Sequence, residues 1–293
     1  MAKASDYDPE ILKLFDGYVH GKITRRDFLD RAAAFAAVGA SAAAILASLS
    51  PDYALARQVD PDDPSISVSY KKYVSPDGAG VMKAYVARPA VIDHKLPAVL
   101  VIHENRGLNP YIEDVARRLA TAGFIGFAPD ALTPLGGYPG NDDDGRSMQR
   151  ERDREEMRED FAAAVDYLQS HPDSSGKVGS VGFCFGGGIS MYLAVRNSTL
   201  AAAVAFYGRH PAAEDAAKIR APLMIHHGAL DERVNSGWPD FEKALKAAGR
   251  SYEQFMYADA NHGFHNDTTP RYDKAAADLA WQRTIAFFEE NLS

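Results

Sequence analysis

Cys184 is the only cysteine in the chain of 293 residues, and it stands in "VGSVGFCFGGGIS" between Gly182 and Gly186. One cysteine permits no intramolecular disulfide, so its chemistry is that of a free thiol. An apolar run precedes it and a helix-forming stretch follows. This is the context of the G-x-S-x-G turn, with sulfur in place of the serine oxygen. Such a turn holds the nucleophile in strained backbone geometry, and the flanking glycines remove side chains that would collide there. The helix start adds free N–H groups and a positive dipole end, both of which favour a thiolate.

A thiol at such a turn needs a carboxylate and a histidine, in the chain order nucleophile, acid, histidine. Asp231 follows an apolar run in "HHGALDERV", 47 residues after Cys184, and His262 lies 31 residues further on in "YADANHGF". Their division of labour is set by chemistry: His262 takes the thiol proton, and Asp231 fixes its tautomer and stabilises the imidazolium. His265 competes with His262 by proximity, but His262 comes first after the strand and Gly263 eases its turn. His226 and His227 fall within or at the end of a strand, as core or supporting residues. A second polar cluster, His103, Glu104, Asn105 and Arg106, ends the run "LPAVLVIHE". The backbone N–H groups of Asn105 and Phe185 are the candidates for an oxyanion hole. Glu104 beside a thiol either carries a proton or pairs with Arg106.

The elements that must position these residues follow from periodicity. "ISVSYKKYV" and "VMKAYVARP" alternate and are joined by "SPDGAG", which predicts a hairpin. "LPAVLVI", "FIGFAPD", "KVGSVGF", "AAAVAFYG", "APLMIHHG" and "SYEQFMYAD" read as strands, with helical stretches between them. Met157, Phe161, Val165 and Leu168 share one face of a helix over 151–170. Strands alternating with helices predict an α/β domain over 66–293 with a mostly parallel central sheet flanked by helices. Cys184, Asp231 and His262 then lie at carboxyl ends of strands, where open parallel sheets place their sites. Only about fourteen residues separate "AVAFYG" from "LMIHHG". That leaves no room for a lid domain, so an open active-site mouth is expected. The charged run over 142–160 mixes both signs and reads as a solvated face.

At 46% hydrophobic and 25% charged residues the composition is that of a soluble globular protein. A net charge of −8 argues against an extended nucleic-acid surface. No zinc-type cysteine and histidine cluster is visible in the sequence, and neither metal nor organic cofactor is expected. Residues 1–56 differ in character. "KITRRDFLDR" precedes an alanine-rich run and the small-x-small triplet Ala54-Leu55-Ala56. The segment resembles a twin-arginine export signal, with Arg25 and Arg26 as the pair. Cleavage after Ala56, engagement of the twin-arginine export machinery and a periplasmic or otherwise exported location are then expected. A cytoplasmic protein with a packed alanine-rich helix is the alternative. Apolar residues at helical spacing (Ile11, Leu14, Phe15, Tyr18) predict a short helix ahead of the arginines. Residues 57–65, polar and proline-rich, read as a linker.

The body, residues 66–291, resembles the dienelactone hydrolase (carboxymethylenebutenolidase) family of the α/β-hydrolase fold. "HENRGL", "GFIGFAPD", "GKVGSVGFCFGGG", "AFYG", "HHGALDERV" and "ANHGF" carry the resemblance. It implies a Cys-Asp-His triad on Cys184, Asp231 and His262, and a proton-exchanging glutamate on Glu104. The implied reaction is hydrolysis of a small ester or lactone through a thioester, without a cofactor. Arg106, Tyr138 and Asn266 are the expected substrate contacts. Asn266 stands where the dienelactone enzyme carries a carboxylate-binding arginine, and a second such arginine aligns to no single one of Arg146, Arg150, Arg152 or Arg154. Two further readings stay open, a hydrolase-fold binding protein without turnover and a redox-sensing thiol, the latter lacking a second cysteine to resolve a sulfenic acid. Oligomeric state is not legible in the sequence.

Overall fold

Period-two patterning over 66–89 folds as the expected hairpin, β1 (Ile66–Ser75) against β2 (Gly80–Pro89), antiparallel throughout. Six strands follow: β3 (Leu96–Ile102), β4 (Ile125–Pro129), β5 (Ser174–Phe183), β6 (Ala202–Phe206), β7 (Leu223–Gly228) and β8 (Tyr252–Tyr257). In the computed structural model, which describes residues 3–36 and 41–293, they form one eight-stranded sheet in the order β1-β2-β4-β3-β5-β6-β7-β8. All pairings from β3 to β8 are parallel. The fold is therefore that of an α/β hydrolase.

Ten helices accompany the sheet among the described residues: α1 (Pro9–Val19), α2 (Arg25–Ala32), α3 (Ala42–Leu49), α4 (Pro110–Thr121), α5 (Asp142–Glu151), α6 (Arg154–Ser170), α7 (Phe185–Arg196), α8 (Glu232–Asn235), α9 (Trp238–Ala247) and α10 (Lys274–Leu292). Alternation along β3 divides the core in two. Ala98, Leu100 and Ile102 face a layer containing Met157, Phe161, Val165 and Leu168 of α6, the face expected from their spacing. Val99 and Val101 face a layer with Ile112, Val115 and Leu119 of α4 and Phe288 of α10. Each such fully buried side chain stabilises the domain by about 1.5–3 kcal/mol. Phe161→Ala, in the middle of the first layer, would cost about 3–5 kcal/mol.

The first three helices build a third, smaller core from Ile11, Phe15, Tyr18, Val19, Phe28, Ala32, Leu46 and Leu49. Local chemistry starts each helix. Asp8 caps α1 ahead of Pro9 at its first position, and Thr24 and Asp27 form a capping box on α2. The paired arginines thus lie in the first turn of α2, where Arg25 reaches Asp143 at 2.6 Å. Residues 37–40 of the alanine-rich run lie outside the described residues. Residues read as a linker are tied to α4: Val59 donates to Asp114 and accepts from Arg117. Among the described residues no helix is long and apolar enough to cross a membrane.

Candidate active site

Strand β5 ends at Phe183 and α7 begins at Phe185, so one residue makes the whole turn. That residue is Cys184, with φ 55° and ψ −111°. A non-glycine residue there is strained and persists only where its surroundings fix it. A Cβ at Gly182 would overlap the Gly186 carbonyl, and one at Gly186 would overlap the Ile102 carbonyl. The Cys184 amide donates to the Phe206 carbonyl at 3.0 Å. The half-buried thiol is held at the carboxyl edge of the sheet.

Asp231 ends the β7 turn and caps α8, accepting from the Val234 amide at 3.3 Å. Its other carboxylate oxygen lies 2.5 Å from Nδ1 of His262, which the turn at Gly263 (φ 83°) brings over from the end of β8. Two loops 31 residues apart thus meet in a buried, charge-assisted hydrogen bond. Burial lowers the basicity of His262, but the charges of Cys184 and Asp231 and its bonds to both raise it to about 10. Burial alone would raise the thiol. The charge on His262, hydrogen bonds from His20 and His262, and the charge on His20 outweigh it and bring Cys184 down to about 5. Both shifts run in the direction that favours a thiolate facing an imidazolium.

His20 was absent from the sequence-based candidates. It follows the last residue of α1, and its Nε2 lies 3.5 Å from the Cys184 sulfur. Its Nδ1 lies 2.8 Å from the Asp16 carbonyl and 3.1 Å from the Asp16 carboxylate. Burial lowers the His20 pKa, but Asp16 and Cys184 raise it overall. The two imidazole rings stand edge to face, centroids 4.9 Å apart. Arg233 of α8 sits between them, with Nη2 3.1 Å from His20 Nε2 and from His262 Nδ1. The only sequence signal for this was Asp16 four residues before His20 on a helix, spacing that puts both on one face.

The segment between β6 and β7 contains only a short 3₁₀ turn, Ala213–Lys218, so no lid is inserted there. The mouth is nevertheless not open as expected, because the end of α1 lies across the sulfur. Two surface clefts lie away from the thiol. One, of about 600 Å³, runs beside β1 and β2 and includes Tyr138 on its wall. The other lies between α6 and the end of α7.

The Glu104 loop meets the site from β3. Glu104 accepts at Oε2 from Arg106 at 2.6 Å and from Asn266 at 3.0 Å, so its charge is paired, and no hydrogen bond joins it to the sulfur among the described residues. Arg106 is spent on Glu104 and on Asp142 of α5, also at 2.6 Å. Tyr138 donates to the same Asp142 at 3.2 Å. Arg106, Tyr138 and Asn266 are thus engaged with protein groups. Asn105 uses its side chain to donate to the Val19 carbonyl at 2.7 Å. The amides of Asn105 and Phe185 make no backbone hydrogen bond among the described residues. Arg146 pairs with Asp143, and Arg152 with Asp160.

Arg271, also missed, is a buried guanidinium over the Phe15 ring (5.2 Å), and its Nε has no hydrogen-bond partner among the described residues. Burial disfavours its charge, which Asp16, Glu104 and Cys184 help to support. The competing histidines separate cleanly. His265 is buried against Tyr111 and kept neutral by burial, Arg118 and His226. His226 bonds Tyr257 and Thr284, and His227 bonds His210 and Gln254.

One set of side chains could hold a metal among the described residues: donor atoms of His20, Cys184 and His262 lie within 4.8 Å of one another. Each ring directs its other nitrogen to a carboxylate, as metal-bound histidines commonly do. The Arg233 guanidinium beside both rings opposes a dication at that point.

Comparison with known proteins bears on the family and the fold. The dienelactone hydrolase family model matches residues 82–292, and a YqhI-like model matches residues 1–37. An Escherichia coli K12 protein, hydrolase fragment YghX, is 56% identical over 113 residues, which is 39% of this chain and 97% of the fragment. A Bradyrhizobium protein named as a probable 2-oxo-3-(5-oxofuran-2-ylidene)propanoate lactonase is 32% identical over 71% of this chain and 89% of its own length. Among solved structures, the dienelactone hydrolase-like promiscuous phosphotriesterase P91 from metagenomic libraries superposes with TM-score 0.67 at 26% identity, covering 78% of this chain and all of that one. The match spans the strands and loops that bring Cys184, Asp231 and His262 together, and the chain belongs to the dienelactone hydrolase family.

Proposed function

We propose that this chain hydrolyses small esters or lactones through a thioester on Cys184. The observation that carries the reading is the Asp231–His262 pair at 2.5 Å, with the imidazole within 4.8 Å of a sulfur on a strained strand-to-helix turn. In acylation the sulfur attacks the carbonyl carbon, an S–C bond forms, and the carbonyl electron pair moves onto oxygen. The amides of Asn105 and Phe185 would receive that oxyanion. Collapse breaks the C–O bond, and the leaving oxygen takes a proton from His262. Water then gives a proton to His262 as it attacks the thioester, and the sulfur departs as thiolate. Glu104, its Oε2 held by Arg106 and Asn266, would exchange a proton with the sulfur through Oε1.

The substrate class is narrowed by Arg271, a buried cation without an ion-pair partner among the described residues. A substrate carboxylate is the group that would complete it. The Bradyrhizobium relative's name denotes such a carboxylate-bearing lactone. Arg271 would then supply the cation expected at the position of Asn266. The test compares wild type with Cys184→Ala on neutral esters and anionic lactones. Turnover should fall by at least about 10³-fold in the variant, and undiminished turnover refutes the assignment. Export through the twin-arginine machinery is a separate proposal, resting on Arg25 and Arg26, with the segment retained on the body through Tyr18, Arg25 and Asn105. Protein recovered from the periplasmic fraction with the residues before Arg57 still attached supports it, and protein confined to the cytoplasm refutes it.

A further inference from the structure

We propose that His20, carried by the N-terminal segment and oriented by Asp16, is a second catalytic histidine that holds the Cys184 sulfur while His262 serves the leaving group. The inference rests on the reading of Cys184 as nucleophile. Its starting point is the hydrogen bonding of the sulfur: His20 Nε2 stands 3.5 Å from it, whereas His262, within 4.8 Å, is tied at Nδ1 to Asp231. With His20 donating to the resting thiolate, the Nε2 proton of His262 is kept for the departing oxygen. The other candidate partner of the sulfur, Glu104, has its Oε2 bonded to Arg106 and Asn266 and makes no hydrogen bond to the sulfur among the described residues.

The segment is built to keep His20 there. The Asp16 carbonyl receives its Nδ1–H at 2.8 Å, with the Asp16 carboxylate 3.1 Å from the same nitrogen as charge partner, and this directs Nε2 toward the sulfur. Asn105 grips the Val19 carbonyl one residue earlier, and Gly21 (φ 73°) lets the chain turn away immediately after. Behind it, Phe15 lies under Arg271, and Tyr18 and Arg25 fasten α1 and α2 to Asp143 of α5. The dienelactone hydrolase family model starts at residue 82, so this histidine lies outside the matched family body.

The charged surroundings define two states. With the thiol protonated, neutral His20 accepts at Nε2 from the S–H or from Arg233 Nη2. With the thiolate formed, Nε2 carries the proton and donates to sulfur, and Arg233 turns to Asp16, already 3.4 Å from its Nε. Asp16, Arg233, His262, Asp231, Arg271, Glu104 and Tyr207 are the titratable or charged groups facing this pair. In acylation His20 releases the sulfur as the S–C bond forms. In deacylation it receives the sulfur as that bond breaks and the thiolate returns.

The experiment follows alkylation of Cys184 by iodoacetamide against pH, read by mass spectrometry, in the full chain. Wild type, His20→Ala, His20→Gln and Asp16→Asn are compared, with circular dichroism and melting curves to verify folding. Losing a hydrogen bond to a charged sulfur should raise the alkylation midpoint by about one to two pH units and lower kcat/KM for a neutral ester about 10- to 100-fold. The glutamine variant, whose amide N–H reaches the same point, should recover part of both, and Asp16→Asn should move the midpoint in the same direction as His20→Ala. A folded His20→Ala protein whose midpoint stays within about 0.3 unit of wild type overturns the proposal. So does faster turnover in that variant with an unmoved midpoint, which would make His20 a plug. A fully active mature protein that begins at Arg57 overturns it as well. Undiminished turnover by Cys184→Ala defeats the nucleophile reading instead, and the alkylation midpoints still report on His20.

Discussion

Replacing Asp231 by asparagine removes one negative charge from the site and leaves its volume nearly unchanged. The bond it makes to His262 Nδ1 is 2.5 Å long, and both side chains are almost wholly shielded from water. Two unit charges about 4 Å apart at an effective dielectric of about 20 interact by roughly 4 kcal/mol. Much of that energy favours the imidazolium and, through it, the thiolate. A second effect adds to the first. Arg233 Nη2 lies 3.1 Å from the same Nδ1, and without the carboxylate it becomes that nitrogen's donor. The proton is then driven to Nε2, the nitrogen that would accept one from the water in the proposed deacylation. The expected loss in kcat/KM is about 10³- to 10⁴-fold. Stopped-flow or steady-state hydrolysis of a p-nitrophenyl ester would measure it, and the midpoint of Cys184 alkylation should rise in the same variant. A folded Asp231→Asn enzyme within about tenfold of wild type would refute the reasoning, because tautomer and charge would then be set by other groups.

Three further outcomes are expected. For a neutral ester, kcat/KM should rise as pH climbs through about 5, where Cys184 loses its proton, and fall above about 10, where His262 loses its own. A pH–rate profile checks this, its limbs belonging to the coupled pair. Arg271→Gln should weaken kcat/KM about 10- to 100-fold for carboxylate-bearing lactones and leave neutral esters within about threefold, as parallel kinetics on the two substrate types would show. Gly182→Ala forces a Cβ against the Gly186 backbone and should destabilise the domain by more than about 3 kcal/mol, visible in urea unfolding or as loss of soluble protein.

How legible the site was depended on how local its physics is. The elbow at Cys184 is a steric property of five consecutive residues, so Gly182 and Gly186 announced it. Helix α5 was hidden, because its inward face carries Arg146 and Gln149 rather than an apolar stripe. Those groups are buried by polar partners, Gln149 accepting from the Gly107 amide and Arg146 pairing with Asp143, which no hydrophobic periodicity records. Arg271 looked like one more loop arginine until the fold buried it beside Phe15.

The sequence by itself determined the strand and helix alternation, the strained thiol turn and the chain order of Cys184, Asp231 and His262. It could do so because parallel strands deliver their carboxyl ends to one edge of a sheet, and order along the chain then becomes proximity. Only the tertiary structure decided that His20 meets a sulfur 164 residues away, with Arg233 between two imidazoles. That meeting depends on how one short amphipathic helix docks on a finished domain. The docking is set by surface shape and charge contributed by α5, α8 and the Glu104 loop together, and no window of sequence contains all of them.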